Sequence, residues 1–252
     1  MLAGNAMPAP APFFSIVLVC RNPGPRLAAA LDSVWAQIGA ACEVVVVDGA
    51  STDGTREWLE TKRPRLAALR SEPDTGVYDA MNKGAAAAAG EWILFLGADD
   101  RLAHESVLRA AQPQLQASPA GVAVGAAAYD GGRIYRLGNS RAAVRRNFVH
   151  HQAAFYRRSL FGQFGSFDDS LAVMGDYDFN LRLLQGGATF APLALRVAEC
   201  ASGGLSDSGA WRGYREEITV RHRHFPAWRC WIWDAVSVVR WLRKKLVRGF
   251  SK

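Results

Sequence analysis

Carboxylates gather in one stretch of this chain. Residues 71–100 read SEPDTGVYDAMNKGAAAAAGEWILFLGADD. Glu72, Asp74 and Asp79 lie in a polar loop that leads into an alanine-rich segment. A short apolar run over residues 92–96 then stops at Gly97-Ala98-Asp99-Asp100. Paired carboxylates where a strand leaves an α/β sheet are hard oxygen donors at the edge where such folds bind ligands. Asp99 and Asp100 are therefore candidate ligands for Mg2+ or Mn2+. A cation there holds a diphosphate, which points to nucleotide-linked substrates. The acidic residues also have plainer readings: Asp48-Gly49 and the 51–54 segment are ordinary turn chemistry, and Asp99-Asp100 can cap a following helix. The run His150-His151-Gln152 looks zinc-like but lacks an apparent third ligand, so an acceptor-side or phosphate-side contact is expected of His151.

The elements that must position these groups alternate. Residues 13–20 form a short β-branched run, read as a buried first strand. After the turn at Arg21-Asn22-Pro23-Gly24-Pro25, Leu27, Leu31, Val34 and Trp35 recur at helical spacing over residues 26–37. A second buried strand spans 43–47, and Ser51 or Thr52 is placed to cap a helix running to Glu60. Further strands are expected over 66–70 and 92–96. Strand and helix in alternation imply a mostly parallel sheet with right-handed crossovers, so Asp48, the 72–79 loop and Asp99-Asp100 should converge on one crevice. Beyond residue 100 the pattern loosens. A hairpin is expected from 121–129 and 133–137, strands over 152–156 and 189–198, a loop over 161–169, and a helix over 174–184.

Composition narrows the class. The chain has 252 residues, half of them apolar and 21% charged, enough for a core and for one α/β domain with a short appendage. The formal charge of +7 favours an anionic partner. The four cysteines form no CxxC pair and read as reduced core residues, which favours a cytoplasmic compartment. Residues 1–12 read as a flexible lead-in, and no apolar stretch is long enough for an ordinary transmembrane helix.

Five segments, VVVDGASTDGT, SEPDTGVYDAMNKG, GEWILFLGADD, HHQAAFYRRSLF and GDYDFNLRL, occur in the order found in family 2 glycosyltransferases. The chain resembles that family over about residues 13–206, and most closely its bacterial subgroup building exopolysaccharide, capsule or lipopolysaccharide. The resemblance implies a GT-A fold, a Rossmann-like mixed but mostly parallel sheet flanked by helices. Residues 13–100 would form the nucleotide-binding half and 101–206 the acceptor half. It implies inverting transfer of a sugar from a nucleotide-diphosphate donor to a hydroxyl. Donor binding would fall to Asp48, Glu72, Asp74, Asp79, Asn82, Lys83 and Asp99, and the cation to Asp99 and Asp100. Asp176 would be the catalytic base, with His151, Gln152 and Asp178 on the acceptor side; a structural role fits Asp178 as well. The chain departs from the family in three places. Gly97 stands where an Asp often begins the metal motif, Gly175 where a Glu precedes the base, and Val19-Cys20-Arg21-Asn22 where Pro-Thr-Tyr-Asn is usual.

The segment 207–252 is basic and Trp-rich. Trp228, Trp231, Ile232, Ala235, Val238, Val239, Leu242 and Leu246 recur every three or four residues, opposite Ser237, Arg240, Lys244 and Arg248. Such an amphipathic helix suits a membrane interface, here the cytoplasmic face of the inner membrane, where a lipid-linked acceptor would be met. The alternative is packing of the apolar stripe on the protein itself or on a second copy. His222 and His224 are expected at the surface of this tail. Two other functions compete: a sugar-phosphate nucleotidyltransferase, which lacks its glycine-rich loop here, and a nucleic-acid-binding protein using the basic tail, which the acidic crevice opposes. A dehydrogenase is excluded by the absence of GxGxxG after the first strand.

Overall fold

The computed structural model describes residues 11–130, 132–203 and 210–249, with side chains to residue 246. Most of the expected lead-in, the expected boundary at 206/207 and the last three residues lie outside them.

The expected α/β alternation is present. The strands are β1 (Phe14–Cys20), β2 (Cys42–Asp48), β3 (Ala68–Ser71), β4 (Trp92–Gly97), β5 (Asp100–Leu102), β6 (Val122–Tyr129), β7 (Ile134–Tyr135), β8 (Ala154–Arg157) and β9 (Phe190–Cys200). The helices are α1 (Arg26–Trp35), α2 (Thr55–Lys62), α3 (Val77–Ala87), α4 (Val107–Ala117), α5 (Ser159–Phe164), α6 (Gly175–Gln185), α7 (Trp211–His224) and α8 (Ala227–Gly249). One mixed sheet runs in the order β3-β2-β1-β4-β8-β6-β9-β5, with β7 paired to β6. The first four positions are parallel; β8 then joins β4 and β6 antiparallel, and β5 joins β9 antiparallel.

Strand β1 shows why this sheet forms. All seven of its residues are buried, as a central parallel strand covered on both faces requires. Phe14, Ile16 and Leu18 join a core with α1 and α4, while Val17 and Val19 join a second core with α3 and α6. Each such side chain contributes roughly 1.5–3 kcal/mol by leaving water. The second core contains an aromatic group, Phe95, Tyr156, Phe161, Phe167 and Phe179, in edge and stacked contacts of 4.8–6.3 Å.

Local expectations fail where tertiary contacts compete. Neither Ser51 nor Thr52 caps α2. Its N-cap is Gly54, at φ 88°, and Asp53 accepts from the Thr55 N–H, because the Ser51 hydroxyl is taken by Asp48. The expected 161–169 loop contains the end of α5, since Leu160 is buried and Phe161 stacks on Phe179 at 4.9 Å. Gly165, at φ 77°, ends that helix. Asp99-Asp100 opens a strand, not a helix, because β9 supplies a ladder for Asp100–Leu102.

The tail is a hairpin of two helices, and its polarity is the reverse of self-packing. Cys230 and Ser237 of α8 are buried against α7, and Arg240 pairs with Glu217 at 3.2 Å. The apolar residues face outward: Trp228 is 73% exposed, Trp231 69%, Ile232 66% and Leu246 61%. No helix among the described residues is long and apolar enough to cross a membrane.

Candidate active site

Parallel register aligns the strand ends that carry the expected residues. Cys20 is opposite Asp48, Asp48 opposite Ser71, and Val19 opposite Gly97. Asn22 and Ala50, just past β1 and β2, take positive φ of 48° and 55°, costly for residues with a Cβ and common beside ligand sites. A cavity of about 340 Å³ opens over these ends. Arg21 and Arg26 line it from the β1 side, Asp99 and Asp100 from the β4–β5 turn, and His151 and Gln152 from the turn before β8.

The two metal-motif carboxylates have different duties. Asp100 is buried, and its Oδ2 accepts the Gly97 N–H at 3.0 Å. Burial pushes its carboxyl above the usual range, against the pull of that N–H. Asp99 makes no hydrogen bond among the described residues and stands open to the cavity. A Cβ on Gly97 would come to 3.0 Å from a carboxylate oxygen of both Asp99 and Asp100, so a larger residue there would have to shift them. No group of three potential metal-ligating side chains occurs among the described residues. One open carboxylate, with a second beside it, still fits a hard cation whose shell is completed by phosphate and water.

The donor-side expectations divide. Asp48 is 0% exposed and accepts from the Ser51 N–H at 3.1 Å, the Ser51 hydroxyl, the Ser71 hydroxyl at 2.7 Å and the Cys20 thiol at 3.8 Å. The structure makes it the tie between three strand ends. Glu72 and Asp79 both pair with Lys83, at 3.4 and 3.2 Å, and the Lys83 ammonium also donates to the Pro73 carbonyl. These three brace the 72–79 loop and lie outside the cavity lining. Burial raises the Asp74 carboxyl, with Arg21 and Lys83 opposing the shift. Asn82 spends both ends of its amide on the Phe167 backbone, at 2.9 Å each, so it fastens α3 to the segment after α5.

The contacts on the other side of the cavity gather around Asp176. Its Oδ1 accepts from the Tyr78 hydroxyl at 3.0 Å and the Tyr177 N–H at 2.8 Å; its Oδ2 accepts from Asn147 at 2.9 Å and meets His151 Nδ1 at 3.1 Å. Burial beside Asp176 holds the Tyr78 phenol far above its usual range, so it remains a donor. A Cβ on Gly175 would press to 2.7 Å from the Tyr78 ring, which accounts for glycine in place of the family's Glu. Asp178, two residues on, faces away. It bonds His224 Nε2 at 2.9 Å and Arg182 at 3.0 Å, and although burial works against it, those bonds hold its carboxyl below the usual range. His224, expected at the surface, is only 9% exposed, for the same reason.

Helix α7 supplies groups that the sequence did not reveal. Glu216 accepts the N–H groups of Ala172, Val173 and Met174 at 2.8–3.2 Å, the segment leading into α6. Arg221, fully buried, donates to the Val144 carbonyl at 2.7 Å and the Arg145 carbonyl at 3.3 Å, next to Asn147. It also pairs with Asp234 of α8. A buried cation in a polar tail gives no periodic signal, so only contact shows it. Tyr78 was legible as part of the SEPDTGVYDAMNKG motif; Asn147 has no sequence signal.

Comparisons with known proteins agree with this layout. The curated relatives include a PGL/p-HBAD biosynthesis glycosyltransferase of Mycobacterium bovis, 38% identical over 187 residues, covering 71% of this chain and 72% of that one. They also include the succinoglycan biosynthesis protein ExoO of Rhizobium meliloti, 27% identical, covering 66% of this chain and 54% of the relative. Similar solved structures include Staphylococcus aureus TarS 1-349 with UDP-GlcNAc, at TM-score 0.67 and 21% identity over 94% of this chain and 72% of that one. Another is a Pyrobaculum calidifontis mannosyltransferase with GDP-Man and Mn2+, at TM-score 0.62 and 20% identity over 97% and 81%. These two likenesses support the GT-A fold. The sequence profile described as glycosyl transferase family 2 matches residues 15–171, from β1 through the acceptor-half segment to the residue before Ala172. With strand order, cavity and motif order in agreement, the chain belongs to glycosyl transferase family 2.

Proposed function

We propose that the protein moves a sugar, with inversion, from a nucleotide-diphosphate donor to a hydroxyl of a lipid-linked saccharide during surface polysaccharide synthesis. The observation that carries this reading is the cavity itself, with Asp99 on one wall and His151, held from behind by Asp176, on the other. Sugar transfer needs charge neutralised at the leaving diphosphate and a proton removed at the acceptor, and these two walls divide those tasks. Asp99, with Asp100 beside it, would hold Mg2+ or Mn2+. Such a cation, when bound, neutralises the diphosphate as charge develops. Arg21 and Arg26 line the same wall and suit phosphate oxygens. The M. bovis and R. meliloti relatives are named for glycan synthesis, and the solved neighbours hold UDP-GlcNAc or GDP-Man. Family membership leaves the nucleotidyltransferase and nucleic-acid readings without support.

The outward stripe of α8 favours work at an anionic lipid surface, such as the cytoplasmic face of a membrane. Exposed Trp, Ile and Leu on a helix that also carries Arg229, Arg243 and Lys245 combine apolar insertion with attraction to acidic headgroups. The test has two arms. Incubation with UDP-, GDP- and dTDP-sugars, Mn2+ and octyl glycosides should release a nucleoside diphosphate and extend the glycoside; no release from any donor rejects the reading. Flotation with phosphatidylglycerol vesicles should carry the wild type upward and leave Trp231→Ser/Ile232→Ser behind. Equal flotation of both would refute the lipid surface without touching the chemistry.

A further inference from the structure

Residues 131–167 contain no Asp or Glu, and their first part carries Arg133, Arg136, Arg141, Arg145 and Arg146. All five are exposed. Arg136, Arg141, Arg145 and Arg146 meet no carboxylate among the described residues. The backbone beneath them is pinned from inside. Ala143, Val144, Phe148 and Val149 are buried. The Tyr177 hydroxyl donates to the Ala143 carbonyl at 2.5 Å, and the buried Arg221 donates to the carbonyls of Val144 and Arg145 at 2.7 and 3.3 Å. The Gly138 N–H donates to the Phe148 carbonyl at 2.7 Å and closes the loop. A basic surface on a fixed backbone needs little further ordering to bind an anion.

Its two neighbours fix where this patch lies. On one side Arg146 precedes Asn147, whose amide donates to Asp176 Oδ2 at 2.9 Å, and Arg146 acts through space on His150. On the other side the Arg145 guanidinium lies 4.6 Å over the Trp233 ring of α8. Such a stack holds the guanidinium by its face and leaves its N–H edge for hydrogen bonds. Trp228, Trp231 and Ile232 of the same helix face outward. The contacts therefore run from a carboxylate, through arginines, to an apolar stripe. A saccharide on a lipid carrier presents hydroxyl, phosphate and hydrocarbon in that order. We propose that Arg145 and Arg146 bind the diphosphate that joins the acceptor saccharide to its lipid carrier, with Asp176 at the sugar end and the α8 stripe at the lipid end. This rests on the sugar-transfer reading above. Diphosphate oxygens suit paired guanidinium donors, and Arg136 and Arg141 add to the attracting field. Continuity with Asn147 and Asp176 favours the acceptor's own diphosphate over a membrane headgroup, which needs no path to the cavity.

The experiment uses the full chain in neutral detergent micelles, with the nucleotide sugar that the wild type turns over best. Each acceptor sugar is offered twice, as an octyl glycoside and joined through a diphosphate to farnesol. The wild type should favour the diphosphate-linked form in kcat/KM. Arg145→Gln/Arg146→Gln should cut that preference about 10–100-fold, chiefly through the acceptor KM. Arg145→Lys/Arg146→Lys keeps both charges and should retain more of the preference than the Gln pair. Both acceptors are read on one sample, so partial unfolding of a variant lowers both rates and leaves their ratio unmoved. Equal preference in the Gln variant and the wild type overturns the proposal. A wild type that turns over both acceptors alike overturns it too, with sugar transfer left standing. Loss of flotation with phosphatidylglycerol vesicles by the Gln variant, its preference in micelles intact, assigns the arginines to headgroups and also overturns it. A wild type inert toward every donor removes the sugar-transfer reading, and this proposal with it.

Discussion

Asp48 and Asp176 are both buried carboxylates that accept several hydrogen bonds, yet their donors come from different kinds of neighbour. Those of Asp48 lie at adjoining strand ends, Cys20, Ser51 and Ser71, which the parallel crossovers bring together. Those of Asp176 come from four separate places: α3, the 147 loop, the turn before β8, and its own helix. The first carboxylate ties a sheet edge. The second gathers elements from the later part of the chain, and one of its partners, His151, lines the cavity. Acceptance of several hydrogen bonds is therefore compatible with either a structural or a chemical role, and what decides is whether a partner reaches the ligand space.

The sharpest test of this contrast is the same substitution at both sites. Asp176→Asn should lower kcat about 10³-fold while donor affinity, read by thermal shift with UDP, survives. Asp48→Asn should act first on stability, costing about 1–3 kcal/mol in urea unfolding because an amide replaces an acceptor facing donors. Equal kcat losses would erase the distinction. The next test breaks the hold from outside. Arg221→Met leaves Asp234 and Glu217 without their buried cation and frees the Val144 and Arg145 carbonyls. A loss of about 3–5 kcal/mol is expected, whereas breaking an exposed pair such as Arg63–Glu60 should leave the unfolding midpoint where it is.

The smallest effect concerns pH. Burial lowers the His150 imidazole to about 4. Below its ordinary value of about 6.5 the unfolded chain takes a proton that the folded chain refuses, so stability is full above that value and falls as pH drops toward 4. Unfolding free energy should decrease by about 1–2 kcal/mol between pH 7 and 5 from this group. His150→Phe, which can keep the ring contact with Tyr135 now at 4.1 Å, should flatten that slope. An unchanged slope would mean that the ring is already charged in the folded protein.

Much of the donor half could be read from the chain because its information is local. Two-sided burial of a parallel strand writes continuous β-branched runs, and β1, β2 and β4 fall within a residue or two of expectation. Asp99, Asp100, His151 and Gln152 of the family motifs line one cavity. The motifs also named Glu72, Asp79, Lys83 and Asn82, which the structure uses to brace loops. A motif records which residues occur together but not which way each side chain turns.

The tail marks the same boundary. Periodicity was enough to show that α8 is amphipathic, since a helix repeats its faces every three or four residues. It could not say which face meets the protein. That was decided by Arg221 of α7, a buried charge that must be paired and so draws the polar side of α8 inward, leaving Trp228, Trp231 and Ile232 outside. By itself the sequence determined the α/β class, the family and the strand-end carboxylates, because these depend on neighbours in the chain. The partners of Asp176, the place of His151 on the cavity and the outward apolar stripe depend on groups dozens of residues apart, and only the tertiary structure sets those distances.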